Sequence, residues 1–189
     1  NGGFAVEPYF IARVEDARGK VLEQANPPVA CLDCTATEPT PRPVTTTQTG
    51  APLAPRVLSP EISFLMTSMM QDVIREGTGA AAKVLARRDL AGKTGTTNEY
   101  RDAWFSGFNS DVVATAWLGF DQPASLGRGE TGGRAALPIW IDYMRAALAG
   151  VPERPLLPPP GVTKAYVNAD TGQLTSASDP QAIEEYFVK

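Results

Sequence analysis

Apolar positions recur along this chain with two periods, and the changes of period mark its elements. In "YFIARVEDARGKVLEQ" (9–24) two alternating runs flank Asp16-Ala17-Arg18-Gly19. Alternation is the strand period and Gly19 is free to take a positive φ, so the stretch predicts a hairpin. Ile62, Leu65, Met66, Met69, Met70 and Val73 then fall at helical spacing. Ser59 suits the N-cap of that helix, Pro60 its first position and Gly77 its end. The three methionines are read as core packing rather than a ligand site. Strand patterning returns at roughly 90–98, 102–108 and 112–120. "DVVATAWLGF" is nearly all apolar or β-branched, as in a strand covered on both faces. Asn109-Ser110-Asp111 is short enough to join the last two strands antiparallel. "GGRAALPIWIDYMRAALAG" predicts a second helix with Leu137, Trp140, Ile141, Met144 and Leu148 on one face and Gly150 closing it. Helix, three strands and helix suit an α+β fold, an antiparallel sheet with helices packed on it.

The remaining segments are poorer in apolar residues. Residues 25–58 are rich in Pro and Thr and read as a long loop or insertion. "VPERPLLPPPG" (151–161) is a stiff linker. "KAYVNADTGQLTS" predicts a small hairpin turning at Asp170-Thr171-Gly172. The organisation expected is therefore an entry hairpin (1–24), the Pro/Thr-rich loop (25–58), a central unit (59–150) and a linker with a C-terminal hairpin and tail (151–189). Cys31 and Cys34 form C-x-x-C among prolines, a poor setting for the helix that tunes a redox thiol. A local disulfide or two inert thiols is the reading, with no second pair to complete a zinc site.

Composition narrows the chemistry. The 189 residues are 43% hydrophobic with a net charge of −4, which argues against a nucleic-acid partner. No apolar run approaches the ~20 residues that span a bilayer. The chain opens "NGGFAVEPYF" without Met and reads as cut from a longer protein, so a targeting segment or membrane anchor is expected upstream. There is no histidine, which excludes a Ser-His-Asp triad, a Cys-His dyad and any His-bearing zinc site within the chain. No metal and no cofactor is implied.

The informative stretch is "AGKTGTTN" (91–98). Gly92-Lys93-Thr94 imitates the tail of a phosphate-binding loop, but that loop needs glycine at 87, where Arg87 stands, and a helix afterwards. "TGTTNEY" is a poor helix former. The alternative is a Lys-Thr-Gly strand at the edge of an acyl-transfer site. Thr94 and Thr96 then share one face and Lys93 and Gly95 the other. Two hydroxyls suit a bound carboxylate, the lysine supplies fixed charge, and Gly95 permits close backbone approach. The Thr96 N–H is placed to serve as an oxyanion donor.

The surroundings make these three residues specific. "AGKTGTTNEYRDAWFSGF", "VATAWLGFD", "GGRAALPIWIDYM", "REGTG" (75–79) and "ADTGQL" (169–174) closely resemble the C-terminal half of the transpeptidase domain of class A penicillin-binding proteins, of the 1a type of Gram-negative bacteria. The resemblance covers most of the chain except 25–58 and the last dozen residues. It implies part of the penicillin-binding transpeptidase and serine β-lactamase-like fold, an antiparallel sheet sandwiched by helices. It also implies a part in cross-linking peptidoglycan stem peptides through an acyl-enzyme that β-lactams intercept, on the periplasmic face of the inner membrane. Carried over, Lys93 assists substrate binding and the proton network, Thr94 and Thr96 hold the substrate or drug carboxylate, and the Thr96 N–H forms half of the oxyanion hole. Gly95 belongs to the same substrate- and β-lactam-binding strand, and Thr97 and Asn98 line its end. Trp104 and Phe105 belong to the same pattern and are read as strand packing, Trp117 and Trp140 as core.

Such enzymes need three boxes, S-x-x-K, S-x-N and K-T-G, and only the third is present. No serine has Lys three residues on or Asn two residues on. "YVN" (166–168) follows the Lys-Thr-Gly box instead of preceding it and is read as strand. The chain alone is thus expected to be inactive and stable only when docked on the nucleophile-bearing half of the domain, its principal partner beside stem peptide and β-lactams. A non-catalytic cell-wall-binding or interaction module on the same fold is the alternative.

Overall fold

A computed structural model describes residues 1–30 and 52–189; Cys31, Cys34 and most of the Pro/Thr-rich stretch lie outside the described residues. The chain divides into two compact units, Asn1–Ser63 and Phe64–Lys189.

The first unit carries the entry hairpin. β1 (Arg13–Glu15) pairs antiparallel with β2 (Val21–Gln24), with a bulge between Val14 and Glu15. The turn is tied by the Asp16 carboxylate, which accepts from the N–H groups of Arg18 and Lys20, and Gly19 takes φ +80°. The strands are shorter than the alternation suggests: residues 9–12 stay outside the ladder and Phe10 is fully exposed.

The second unit holds the sheet and its helices, an α+β arrangement. α1 spans Pro60–Arg75, starting one residue after Ser59, whose hydroxyl accepts from the Ile62 N–H at 3.3 Å. β3 (Ala91–Thr96), β4 (Ala103–Phe108) and β5 (Val113–Leu118) form an antiparallel sheet in the order β3-β4-β5. α2 (Leu137–Ala147) packs on one face of it, preceded by a π-helical turn over Gly132–Ala136 where the sequence pattern predicts a plain helix start. The core lies between sheet and α2: Leu90, Phe105, Leu137, Trp140 and Met144 are almost wholly buried. Phe105 and Trp140 meet edge to face at 4.9 Å. The Trp140 indole N–H reaches the Ala114 carbonyl at 3.1 Å, so its burial leaves no donor unpaired. Gly107 is what lets the indole in, because a Cβ there would stand 2.5 Å from Trp140 Cζ2.

Three sequence expectations need correction. On α1 the buried positions are Phe64, Ser68, Gln71 and Ile74, while Ile62, Met66 and Met69 are exposed; the buried side is half polar, so the spacing of apolar residues points to the wrong side. Trp117, expected in the core, is 44% exposed and meets Trp104 at 5.8 Å on the sheet face opposite α2. The tail is not loose: β6 (Val162–Asn168) pairs along its length with β7 (Ala182–Val188), while the turn at 170–172 closes the short hairpin expected, with Val167 bridging Leu174 and the Asn168 and Thr175 N–H groups donating to the Gln173 and Tyr166 carbonyls. Four of the seven β7 positions, Ile183, Tyr186, Phe187 and Val188, are β-branched or aromatic, which suits the tail to a strand on the other edge of β6.

A buried clasp fixes the entry to β3. Asp89, 5% exposed, accepts two hydrogen bonds from Arg87 at 2.8 and 2.7 Å, one from Asn109 Nδ2 at 3.2 Å and one from the Arg154 N–H at 3.3 Å. Arg87 also donates to the carbonyls of Val151 and Pro152. One carboxylate thereby joins the start of β3, the β4–β5 loop and the chain beyond α2. Burial pushes the Asp89 carboxyl up, but Arg87, Asn109 and the Arg154 amide more than offset it and hold the group below its ordinary range.

Candidate active site

The Lys-Thr-Gly residues lie in mid-β3, and β3 is an edge of its sheet among the described residues. The turn after it decides which groups that edge presents. Thr97 N–H donates to the Asp102 carbonyl at 3.1 Å, continuing the ladder of β3 with β4 in the same register. In an antiparallel ladder hydrogen-bonded and non-bonded pairs alternate. Pairs 97–102, 95–104 and 93–106 are therefore the bonded ones. The N–H and C=O groups of Gly92, Thr94 and Thr96 point out of the sheet, away from β4. The sequence-predicted oxyanion donor, the Thr96 N–H, is on that outward edge. Lys93 Nζ bends round to the same edge and donates to the Thr94 carbonyl at 2.9 Å.

Side chains alternate at right angles to this. Lys93 and Gly95 share the open face with Trp104, Ser106, Thr115 and Trp117; Ser106 and Thr115 hydroxyls meet at 2.9 Å. Thr94 and Thr96 share the face toward α2, and each hydroxyl has a partner. Thr94 Oγ1 lies 2.8 Å from Thr78 Oγ1, and Thr96 Oγ1 accepts from the Gly132 N–H at 3.0 Å. Thr96 keeps its own O–H for another acceptor.

Gly95 and Trp104 both point to the open face, so the α2 side of that pair is bare backbone. Gly132 sits on it. A Cβ at 132 would come within 2.2 Å of the Trp104 carbonyl oxygen and 2.5 Å of that of Gly95. A Cβ at Gly133 would meet the Thr78 carbonyl at 2.7 Å. The π-helical turn thus rests directly on the strand and fixes the Thr94–Thr96 face. Thr78, Gly132 and Gly133 were not among the predicted site residues. Their signal in the sequence was the unexplained "GTG" run and the paired glycines at a helix start.

β3 ends two residues before the predicted 98, because Thr97 closes the turn. Its hydroxyl accepts from the Asp102 N–H at 2.7 Å. Asn98 is exposed in the short helical turn Asn98–Tyr100. Glu99 and Tyr100 both take left-handed backbone angles, φ 61° and 55°, a strained pair for non-glycine residues. Ser125 Oγ and the Leu126 N–H hold their two carbonyls at 2.8 Å each. Arg101 pairs with Glu99 at 2.5 Å, not with Asp102, whose carboxylate instead accepts from the Trp117 indole at 3.0 Å.

What this edge can do follows from its donors. An outward amide, a nearby ammonium and a free hydroxyl on one wall favour a ligand with a carbonyl that gains negative charge and a carboxylate close by. Among the described residues no three His, Cys, Asp or Glu side chains are grouped to hold a metal.

Comparisons with known proteins agree on the setting. A family model described as "Penicillin binding protein transpeptidase domain" matches residues 1–140. Penicillin-binding protein 1A of Pseudomonas aeruginosa is 41% identical over an alignment of 224 positions that covers 99% of this chain and 26% of that protein. The protein of the same name from Escherichia coli is 35% identical, with 100% and 29% covered. The crystal structure of penicillin-binding protein 1A from Haemophilus influenzae superposes with a TM-score of 0.83 at 37% identity, covering 100% of this chain and 30% of that one. The chain spans between a quarter and a third of the length of these relatives.

Proposed function

The chain belongs to the penicillin-binding protein transpeptidase family, and on that premise we propose that its β3 edge is the binding and oxyanion wall of a serine D,D-transpeptidase that cross-links peptidoglycan stem peptides. The observation that carries the reading is the outward Thr96 N–H with Lys93 Nζ held at the same edge. A serine hydroxyl attacks the D-Ala-D-Ala carbonyl and the terminal D-Ala leaves. The amine of a second stem peptide then resolves the acyl-enzyme. Thr96 N–H stabilises the oxyanion in both steps. Lys93 and the free proton of the Thr96 hydroxyl hold the carboxylate of substrate or β-lactam. Thr94, bonded to Thr78, orients that face, and Thr97 and Asn98 close its end.

The 189 residues contain no Ser-x-x-Lys and no Ser-x-Asn, so the nucleophile and its base come from a segment outside them and this chain alone is inactive. The working place of the whole enzyme is the periplasmic face of the inner membrane, with any anchor outside these residues; among the described residues no helix is long and apolar enough to cross a membrane. The same absence of a nucleophile favours, as second reading, a wall-binding module without acylation.

Fluorescent penicillin labelling with peptide mapping separates the two. Label on a serine outside residues 1–189, formed only when this chain is present, supports the transpeptidase. Absence of label on any segment sinks it. Thr96→Pro in the labelled protein removes the outward N–H together with the hydroxyl that Gly132 reaches, at an edge position where proline is tolerated, so its excess over Thr96→Ala, which removes the hydroxyl alone, reads the N–H. It is expected to slow acylation about 10²–10³-fold. Thr96→Ala, which keeps the N–H, should slow it far less.

A further inference from the structure

Phe64, Ser68, Gln71 and Arg75 recur down one side of α1, and with Arg88, Pro155, Leu156 and Tyr186 they line a cavity of about 210 Å³. It shares no residue with the β3 edge. Two of its features are unusual. Ser68 and Gln71 are 7% and 8% exposed, yet neither side chain has a hydrogen-bond partner among the described residues. A buried amide and hydroxyl without partners are costly unless something in the cavity pairs with them. No sealed, unsatisfied polar side-chain atom exists among the described residues, so these groups open into the cavity and not into packed protein.

The other walls define the occupant. Phe64 and Tyr186 meet edge to face at 4.8 Å and, with Pro155 and Leu156, give an apolar floor. Two guanidinium groups stand at the cavity. Arg75 is engaged by Asp72, and Arg88 by Glu153 at 3.3 Å through Nε alone. A guanidinium has five N–H donors in a fork, so each keeps donors that Asp72 and Glu153 do not take. The volume is below the ~300 Å³ of a drug-sized site and suits one or two amino-acid residues.

We propose that this cavity binds the carboxyl end of a short peptide: Arg75 and Arg88 take the terminal carboxylate, Gln71 and Ser68 pair with the last peptide amide, and a small apolar side chain lies on Phe64 and Tyr186. A carboxylate alone would leave Gln71 and Ser68 unpaired, and a neutral apolar ligand would leave both arginines unused.

Equilibrium dialysis of radiolabelled N-acetyl-alanyl-alanine, in L,L and D,D forms, against the intact protein tests this. A β-lactam first blocks any penicillin-reactive site. Saturable one-site binding in the millimolar range is expected, with the C-terminal amide of the same peptide at least about tenfold weaker. Arg88→Gln alters a side chain that is 93% exposed, so the fold is kept, and should weaken binding about three- to tenfold. Gln71→Met, similar in shape, should weaken it about tenfold. If Gln71→Met does not fold, Arg88→Gln and the peptide amide still decide. Equal binding of acid and amide, no effect of Arg88→Gln, or no saturable binding would overturn the proposal. So would loss of binding on the β-lactam block, which would put the peptide at the acylation site. Failure of penicillin to label the protein would count against the transpeptidase reading and leave the dialysis unaffected.

Discussion

Removing the Asp89 carboxylate should loosen the candidate site from a distance. The side chain is 2% exposed and that of Arg87 13%, so the pair lies where water screens little. Breaking one partner of a buried ion pair costs about 3–5 kcal/mol. Arg87 would keep the Val151 and Pro152 carbonyls, but Asn109 Nδ2 and the Arg154 N–H would lose their acceptor, so Asp89→Ala belongs near the lower end, about 3 kcal/mol. Asp89→Asn keeps the shape and loses the charge; about 1.5–3 kcal/mol is expected. The assay is urea unfolding followed by tryptophan fluorescence, since all three tryptophans lie in β4, β5 and α2. At a slope of about 1–3 kcal/mol per molar urea, Asp89→Ala should lower the midpoint by about 1 M or more with the slope unchanged. Asp89→Leu combined with Arg87→Met should recover part of the loss, because removing both charges is less costly than stranding one, while Asn109 Nδ2 and the Arg154 N–H still lack their acceptor. The pH dependence has a definite sign. The folded carboxyl titrates below its unfolded value of ~3.9, so its contribution is complete above that pH and is lost as pH falls through the lowered folded value. The gap between wild type and Asp89→Asn should therefore close below about pH 4. A cost under about 1 kcal/mol, a double variant no better than Asp89→Ala, or a pH-independent gap would each refute the clasp as a stabilising unit.

Other variants test the parts around the edge. Gly132→Ala places a methyl against two carbonyl oxygens and should cost about 2 kcal/mol or more in the same assay while slowing penicillin acylation; wild-type behaviour would remove the π-helical turn from the site. Thr78→Val should lose about 1 kcal/mol with the Thr94 contact and raise the penicillin concentration needed for half-maximal labelling rate. Trp117→Phe removes the bond to Asp102 and should cost about 1 kcal/mol, read as a shift in midpoint, without abolishing acylation.

Much of this architecture was legible because it rests on local rules. Ser59 and Pro60 set the start of α1, alternation marked β3 to β5 to within two residues, and Trp140 with Leu137 and Met144 identified the buried face of α2. What was not legible depends on partners distant in sequence. Periodicity placed Ile62, Met66 and Met69 on a common stripe but could not say that Phe64, Ile74, Ser68 and Gln71 are the buried set. Trp117 was misread as core because aromatic side chains on a half-covered sheet obey the same alternation on either face. The Lys-Thr-Gly residues were found by type, whereas Thr78 and Gly132, which brace them, are small residues whose role exists only across 16 and 36 positions of chain.

The alternation along β3 makes the chemistry of its edge a matter of parity. Residues 92, 94 and 96 address the outside because the turn from Thr97 to Asp102 locks the pairing to a sum of 199: 97 with 102, 95 with 104, 93 with 106. Sliding the strand by one position would turn the Thr96 amide into the sheet, send Lys93 to the α2 side and expose the amides of 93 and 95 instead. The strained pair Glu99 and Tyr100 touches none of the edge groups, yet it sets the length of the turn that keeps the count. One residue inserted there would do more harm to the site than most substitutions on the edge itself, and a second insertion, restoring parity, would undo part of the first.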